Sequence, residues 1–164
     1  MACPPSHVPN SLLFRRMRKD DIPILLVISR ENMASVIWSA WGVKWQDETL
    51  LEMLMDPESN TEIMEVDGIT AGYFTVEPRG CSLFINSIQV PNGMKRNGHG
   101  KKMMQRIEAL ATISGMDSVE LWVQTTNVEA FFFYRRLGYN FICQRGNNYL
   151  MRKVLGSDWS SMHA

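Results

Sequence analysis

Residues 87–104, SIQVPNGMKRNGHGKKMM, constrain this chain more than any other stretch. An apolar run ends at Val90. Gly93, Gly98 and Gly100 then alternate with Lys95, Arg96, Lys101 and Lys102, and Met103, Met104, Ile107, Leu110 and Ala111 follow at helical spacing. The order is strand, glycine-rich basic loop, helix. Two phosphate motifs fail on it. A Walker loop finds glycines at 93 and 98 but then His99 in place of lysine. The dinucleotide fingerprint finds Gly98 and Gly100 but fails at Met103. What remains is a cluster of basic residues and glycines at a helix start. Glycine permits positive φ and close backbone approach. A helix N-terminus presents unbonded N–H groups and about half a positive charge. From these residues alone, a pyrophosphate cradle and an ordinary glycine-rich turn with solvated lysines both stay open.

Composition narrows the partners. The chain has 164 residues, 45% hydrophobic and 21% charged, the profile of one folded domain. Its formal net charge of zero argues against a nucleic-acid or membrane-surface binder acting through bulk charge. No apolar run approaches the roughly 20 residues of a membrane span. Cys3, Cys81 and Cys143 have no metal or redox spacing, and His7, His99 and His163 are scattered, so no metal is expected. The odd cysteine count and lack of a leader segment point to a cytoplasmic protein.

A proline-rich start, residues 1–11, reads as loosely ordered. A first strand covers 12–17, and a helix capped by Asp20 covers 20–33. A segment with Trp38, Trp41 and Trp45 separates it from a second helix over 47–55. Asp67-Gly68 marks a hairpin, and 81–90 is a central strand. After the loop come a helix stopped by Gly115, a strand over 118–124 and a helix ending at Gly138. A final hairpin turns at Gly146-Asn147, and the tail has no pattern. This is a mixed α/β chain: an antiparallel meander leading into a strand–loop–helix–strand unit.

Residues 119–139, VELWVQTTNVEAFFFYRRLGY, supply a second motif. With the loop, they resemble the GNAT superfamily of acyl-CoA N-acyltransferases, in particular small microbial members with a WG-W segment. The family's [RQ]-x-x-G-x-[GA] loop corresponds to Lys95-Arg96-Asn97-Gly98-His99-Gly100, with lysine at the first position. Its N-x-x-A-x-x-x-Y-x-x-x-G-[FY] pattern is met by Asn127, Ala130, Tyr134, Gly138 and Tyr139. The resemblance spans about Phe14 to Val154. It implies the GNAT fold: a twisted, mostly antiparallel sheet of about seven strands with about four helices, splayed between strands 4 and 5. It also implies one domain over 1–155 and a disordered tail over 156–164.

The resemblance further implies acetyl-CoA as co-substrate. The loop, including Lys101, would hold its pyrophosphate. Main-chain groups of Ile88, Gln89 and Val90 would bond the pantetheine arm, one N–H there steadying an oxyanion, with Asn127 and Phe133 beside it. Loop length after Val90 implies a small bulge. An amine would attack the thioester directly. Tyr134 matches the group that protonates the leaving thiolate; without the motif it reads as a packed aromatic. No base is evident: the corresponding positions are Leu83 or Phe84 and Trp122, and Glu120 is a weak substitute. Freeing a lysine-type amine at pH 7 costs about 4.6 kcal/mol and an α-amine about 1. A low-pKa amine, or proton loss through water before attack, is therefore expected. The implied acceptor wall takes in residues 31–48 and Tyr149, with Glu31, Trp41 and Trp45 singled out as binding groups or, for the tryptophans, as packing. The expected partner is a small-molecule or peptide amine, and the expected assembly a monomer or homodimer. The rival reading is a non-catalytic CoA-binding sensor.

Overall fold

The computed structural model describes residues 11–156, so the readings of residues 1–10 and of the tail from residue 157 lie outside the described residues. The chain runs β1 (Leu12–Arg16), α1 (Ile22–Trp41), α2 (Asp47–Met55), β2 (Asn60–Val66), β3 (Ile69–Arg79) and β4 (Ser82–Gln89). It continues α3 (His99–Ile113), β5 (Ser118–Gln124), α4 (Val128–Arg136), β6 (Asn140–Arg145) and β7 (Asn148–Val154). The strands form one sheet in the order β1-β2-β3-β4-β5-β7-β6. Every pairing is antiparallel except β4 with β5.

Strand alternation gives the sheet two apolar faces. On one, Val119, Leu121 and Val123 of β5 join Leu83 and Ile85 of β4 under Met103, Met104 and Ile107 of α3 and Tyr134 of α4. On the other, Ile63 and Tyr73 pack under Leu25 of α1 and Leu50 and Leu54 of α2. Glycine and aspartate punctuation sets the ends: Asp67-Gly68 turns β2 into β3, Gly115 ends α3 at φ +73°, and Gly146 opens the last turn at φ +53°.

Two local expectations are corrected. Helix α1 does not stop at Met33 but runs eight residues further, to Trp41. Nothing between 34 and 41 breaks a helix, and the stop is Gly42, left-handed at φ +65°, its N–H bonded to Trp38 O at 2.8 Å. Asp20 is not the cap. Asp21 precedes α1, and its carboxylate instead accepts from Arg18 N at 2.7 Å and from the Arg15 guanidinium at 2.8 Å. Arg15 also reaches Glu65 on β2 at 2.7 Å, tying the start of α1 to the sheet edge. The Arg15 guanidinium holds the Asp21 carboxyl below the usual carboxylate range.

One close approach connects fold and site. A Cβ on Gly72 of β3 would lie 2.8 Å from Gln89 O and 2.8 Å from Met103 Cε. The methionine can yield; the β4 backbone cannot without moving the end of the strand. Gly72→Ala is expected to destabilise by about 1–3 kcal/mol, read as a lower urea midpoint. Wild-type stability would show that β4 has room to shift.

Candidate active site

Parallel pairing of β4 with β5 begins at Ser82 with Ser118 and ends at Ile85 with Leu121. Both strands continue. β3 holds β4 out to Gln89, opposite Tyr73, and β7 holds β5 out to Gln124, opposite Asn148. Between them, Thr75 pairs Ser87 and Val76 pairs Ile85, so Asn86 is an extra residue in β4. Such a bulge adds twist and turns a strand from its neighbour. The strands therefore part. A cavity of about 560 Å³ fills the gap and extends to the glycine loop.

The glycine loop lies at one end of this cavity. The residue that lengthens it is taken up in a short 3-10 turn, Asn92–Met94, while the strand bulge sits earlier, at Asn86. Arg96 and Gly98 are both left-handed, at φ +68° and +77°. Gly98 O accepts from Lys102 N at 3.1 Å, opening α3, so the N–H groups of His99, Gly100 and Lys101 have no acceptor within the helix. A Cβ on Gly98 would meet no protein atom within 4 Å, whereas one on Gly100 would lie 3.1 Å from Phe133 Cζ. The first glycine borders open space that suits a phosphate; the second lets α4 close against α3. Lys95, Arg96 and Lys101 line the cavity. His99 lines it too, and burial, then Lys102, pushes its pKa down, so the ring is neutral at neutral pH.

Helix α4 forms one wall. Asn127 caps it, Oδ1 accepting from Ala130 N at 3.3 Å, which leaves Nδ2 as a donor. Phe133 and Tyr134 follow on the cavity side. Tyr134 is 8% exposed, with Phe133 and Tyr139 edge-on at 5.1 and 5.9 Å. Burial pushes its phenol well above the ordinary range. Fully buried Tyr139 bonds Glu108 of α3 at 3.4 Å and steadies this helix end.

The cavity thus brings together Ile88, Gln89, Val90, Lys95, Arg96, Gly98, His99, Gly100, Lys101, Asn127, Phe133 and Tyr134. Asn97 stands outside its walls, donating to Met94 O at 3.3 Å. Of the acceptor wall, Glu31, Trp41, Trp45 and Tyr149 do not line it. Glu31 lies on the exposed side of α1, and Trp41 is 42% exposed at that helix's end. Trp45 packs against the α1–α2 core and donates to Asp47 at 2.6 Å. Tyr149, opposite Val123 on the α3–α4 face, packs between Phe131 and Phe141 at 5.5 Å each, outside the cavity. Leu83 and Phe84 sit in the paired part of β4, buried, below the gap. Glu120 accepts from Arg152 at 2.8 Å and Ser82 at 2.9 Å, which commits it to an ion pair. Trp122 does line the gap.

The α1 side of the gap is made largely of Asn32, Met33 and Val36 of α1, inside the segment 31–48 that the sequence places on the acceptor wall but not singled out within it, and of Asn86 and Ser87 of β4, which sequence reasoning passed over. Asn32 donates to Val90 O at 2.8 Å and to Gln89 Oε1 at 3.1 Å, pinning α1 over β4. Ser87 bonds the Tyr73 hydroxyl at 3.0 Å, which also bonds Ser29 of α1. Asn147 donates to Ala40 O, fastening the far end of α1 to the β6–β7 turn.

The acetyltransferase (GNAT) family model matches residues 30–139. No curated protein matches the chain. Among solved structures it is similar to the PaiA N-acetyltransferase of Thermoplasma acidophilum in complex with coenzyme A: TM-score 0.72, 17% identity, 88% of this chain and 99% of that one. The ribosomal-protein-S18-alanine N-acetyltransferase of Escherichia coli aligns at TM-score 0.71 and 15% identity, over 91% and 98% of the two chains. Ard1 of Thermoplasma volcanium aligns at 0.73 and 21%, over 89% and 99%. These likenesses establish the fold, and the family match over two motifs and the strands between them establishes the lineage: the chain belongs to the GNAT family of acetyltransferases.

Proposed function

We propose that this chain transfers an acetyl group from acetyl-CoA to a primary amine, with both substrates bound together. The observation that carries this reading is one continuous cavity joining the glycine-loop cradle, the unpaired edge of β4 and Tyr134. Open space at Gly98, unbonded helix N–H groups and flanking cations suit a pyrophosphate. The unpaired main chain of Ile88 to Val90 suits the amides of a pantetheine arm, and a β4 N–H at the gap suits developing negative charge on a carbonyl oxygen. When bound, acetyl-CoA supplies a thioester whose carbonyl carbon is open to attack.

Tyr134 is placed to donate a proton to the departing sulfur. A thiol has an ordinary pKa near 8.5, and burial sets the phenol far above that. The tyrosine therefore stays protonated across the working pH range and stands as a hydrogen-bond donor to the sulfur. Its presence beside the gap favours an enzyme over a CoA sensor. We place the protein in the cytoplasm with an amine, small or peptidic, as partner; among the described residues no helix is long and apolar enough to cross a membrane, and no group of three His, Cys, Asp or Glu side chains could hold a metal.

Acetyl-CoA at 100 times its Kd is expected to stabilise the protein by roughly 2.7 kcal/mol. Gly98→Val, which puts a branched side chain into the cradle at positive φ, should remove that shift while circular dichroism stays native. A retained shift would refute the cradle. Tyr134→Phe keeps the ring packing and is expected to lower kcat about 10²-fold or more at unchanged acetyl-CoA affinity. Because the phenol pKa is raised, the acid form persists as pH rises; a fall in kcat centred below pH 9 that disappears in Tyr134→Phe would assign the residue a different role.

A further inference from the structure

Resting on that reading, we infer that the acceptor is a weakly basic primary amine on an apolar body, taken up uncharged, and not an alkylammonium or a polyamine. Two observations carry this: which face of the gap is left for the acceptor, and which charges it meets there.

The cradle, Phe133 and Tyr134 lie on the α3–α4 face of the sheet with Leu121 and Val123. The other mouth of the gap opens beneath α1, because Trp122 alternates with Leu121 and Val123 on β5, and Ser87 reaches across to Tyr73 in the α1–α2 core. An amine approaching the carbonyl from opposite the cradle enters here. It meets Met33, Val36, the Trp122 ring, the amides Asn32 and Asn86, and the Ser87 hydroxyl. The aromatic and aliphatic groups accept an apolar body, and the amide and hydroxyl oxygens accept N–H groups.

None of these groups bears charge. Of the cavity's residues only Glu129 is a carboxylate, on the exposed first turn of α4, against Lys95, Arg96, Lys101 and Arg136. His99 adds no charge at neutral pH. The carboxylates nearest along the α1 face are spent: Glu77 on β3 pairs with Arg79 at 2.6 Å, and Glu120 on β5 with Arg152 at 2.8 Å. On α1 itself, Glu31 is exposed outside the cavity, and Arg30 pairs with Asp47 of α2 at 2.6 Å. A cation entering the gap is stripped of water against amides and rings, with four cations in the same cavity and no counter-charge at the reacting end.

The balance of the reaction demands the same thing. The nitrogen lone pair forms the C–N bond, the C–S bond breaks, the nitrogen sheds one proton and the sulfur gains one. No described side chain lining the α1 side of the gap can accept that proton from an ammonium before attack; the neutral His99 ring lies at the cradle end. At pH 7 about one lysine-type amine in 2,500 is free, against about one α-amine in six.

The test uses the full chain with acetyl-CoA and three probes: phenylalaninamide, 2-phenylethylamine, which has a similar body and a lysine-like amine, and spermidine. At pH 7, kcat/KM for phenylalaninamide is expected to exceed that for 2-phenylethylamine by at least tenfold, with spermidine lowest. The gap should narrow as pH rises, because each profile bends at the amine's own pKa. By calorimetry, phenylalaninamide should bind the coenzyme A-loaded protein more tightly at pH 9 than at pH 6. Equal or better turnover of either cationic amine at pH 7, or a bend at one fixed pH for both phenyl probes, would overturn the inference by revealing a protein base or counter-charge. Acetyl-CoA binding with no turnover of any amine would instead overturn the enzyme reading beneath it.

Discussion

Four residue pairs of parallel ladder, from Ser82–Ser118 to Ile85–Leu121, hold β4 to β5, and the site depends on their ending there. Each strand keeps its outer partner beyond that point, β3 for β4 and β7 for β5, so both edges stay rigid although they are unpaired. The bulge at Asn86 supplies the turn that separates them. Without it, β4 would continue its ladder into Trp122–Gln124 and close the passage. An exposed strand edge usually invites aggregation; here α1 and α4 cover it from opposite sides, leaving a slot for one extended ligand.

Polar contacts hold that geometry open. Asn32 ties α1 to the last residues of β4, and Tyr73 links Ser29 of α1 to Ser87 at the gap. Burial raises the Tyr73 pKa, chiefly by desolvation, so its hydroxyl keeps its proton. On the opposite face, Gly100 lets Phe133 close on α3, which brings the N-cap at Asn127 and the phenol of Tyr134 to the cradle. The electrostatics divide along the same line, with cations at the loop and uncharged amides, hydroxyl and rings under α1.

The glycine loop and α4 were readable because their signals are local. Gly98 and Gly100, with the basic residues beside them, lie within eight positions, and the Asn127–Tyr139 pattern runs along one capped helix and the turn that ends it. The acceptor wall was not readable from residue type. Trp41, Trp45 and Tyr149 are aromatic, as a binding wall often is, yet Trp41 is exposed at the end of α1, Trp45 is held by Asp47 and the α1–α2 core, and Tyr149 packs between Phe131 and Phe141. The segment 31–48 was read onto that wall, but with α1 ended at Met33 no helix phase joined Asn32 and Met33 to Val36 on one face. Glu120 looked available as a base until β7 placed Arg152 opposite it.

By itself the sequence determined the order of elements, the meander and its turns, the glycine-rich loop before α3 and the helix carrying Tyr134. Each of these follows from periodicity, positive-φ residues or short fixed spacing, which act within a few residues of the chain. Only the tertiary structure decided where β4 leaves β5, which side of α1 faces the opening and which carboxylates are already paired. Those depend on contacts between residues that are distant in sequence, and on a one-residue bulge whose place is set by cross-strand register.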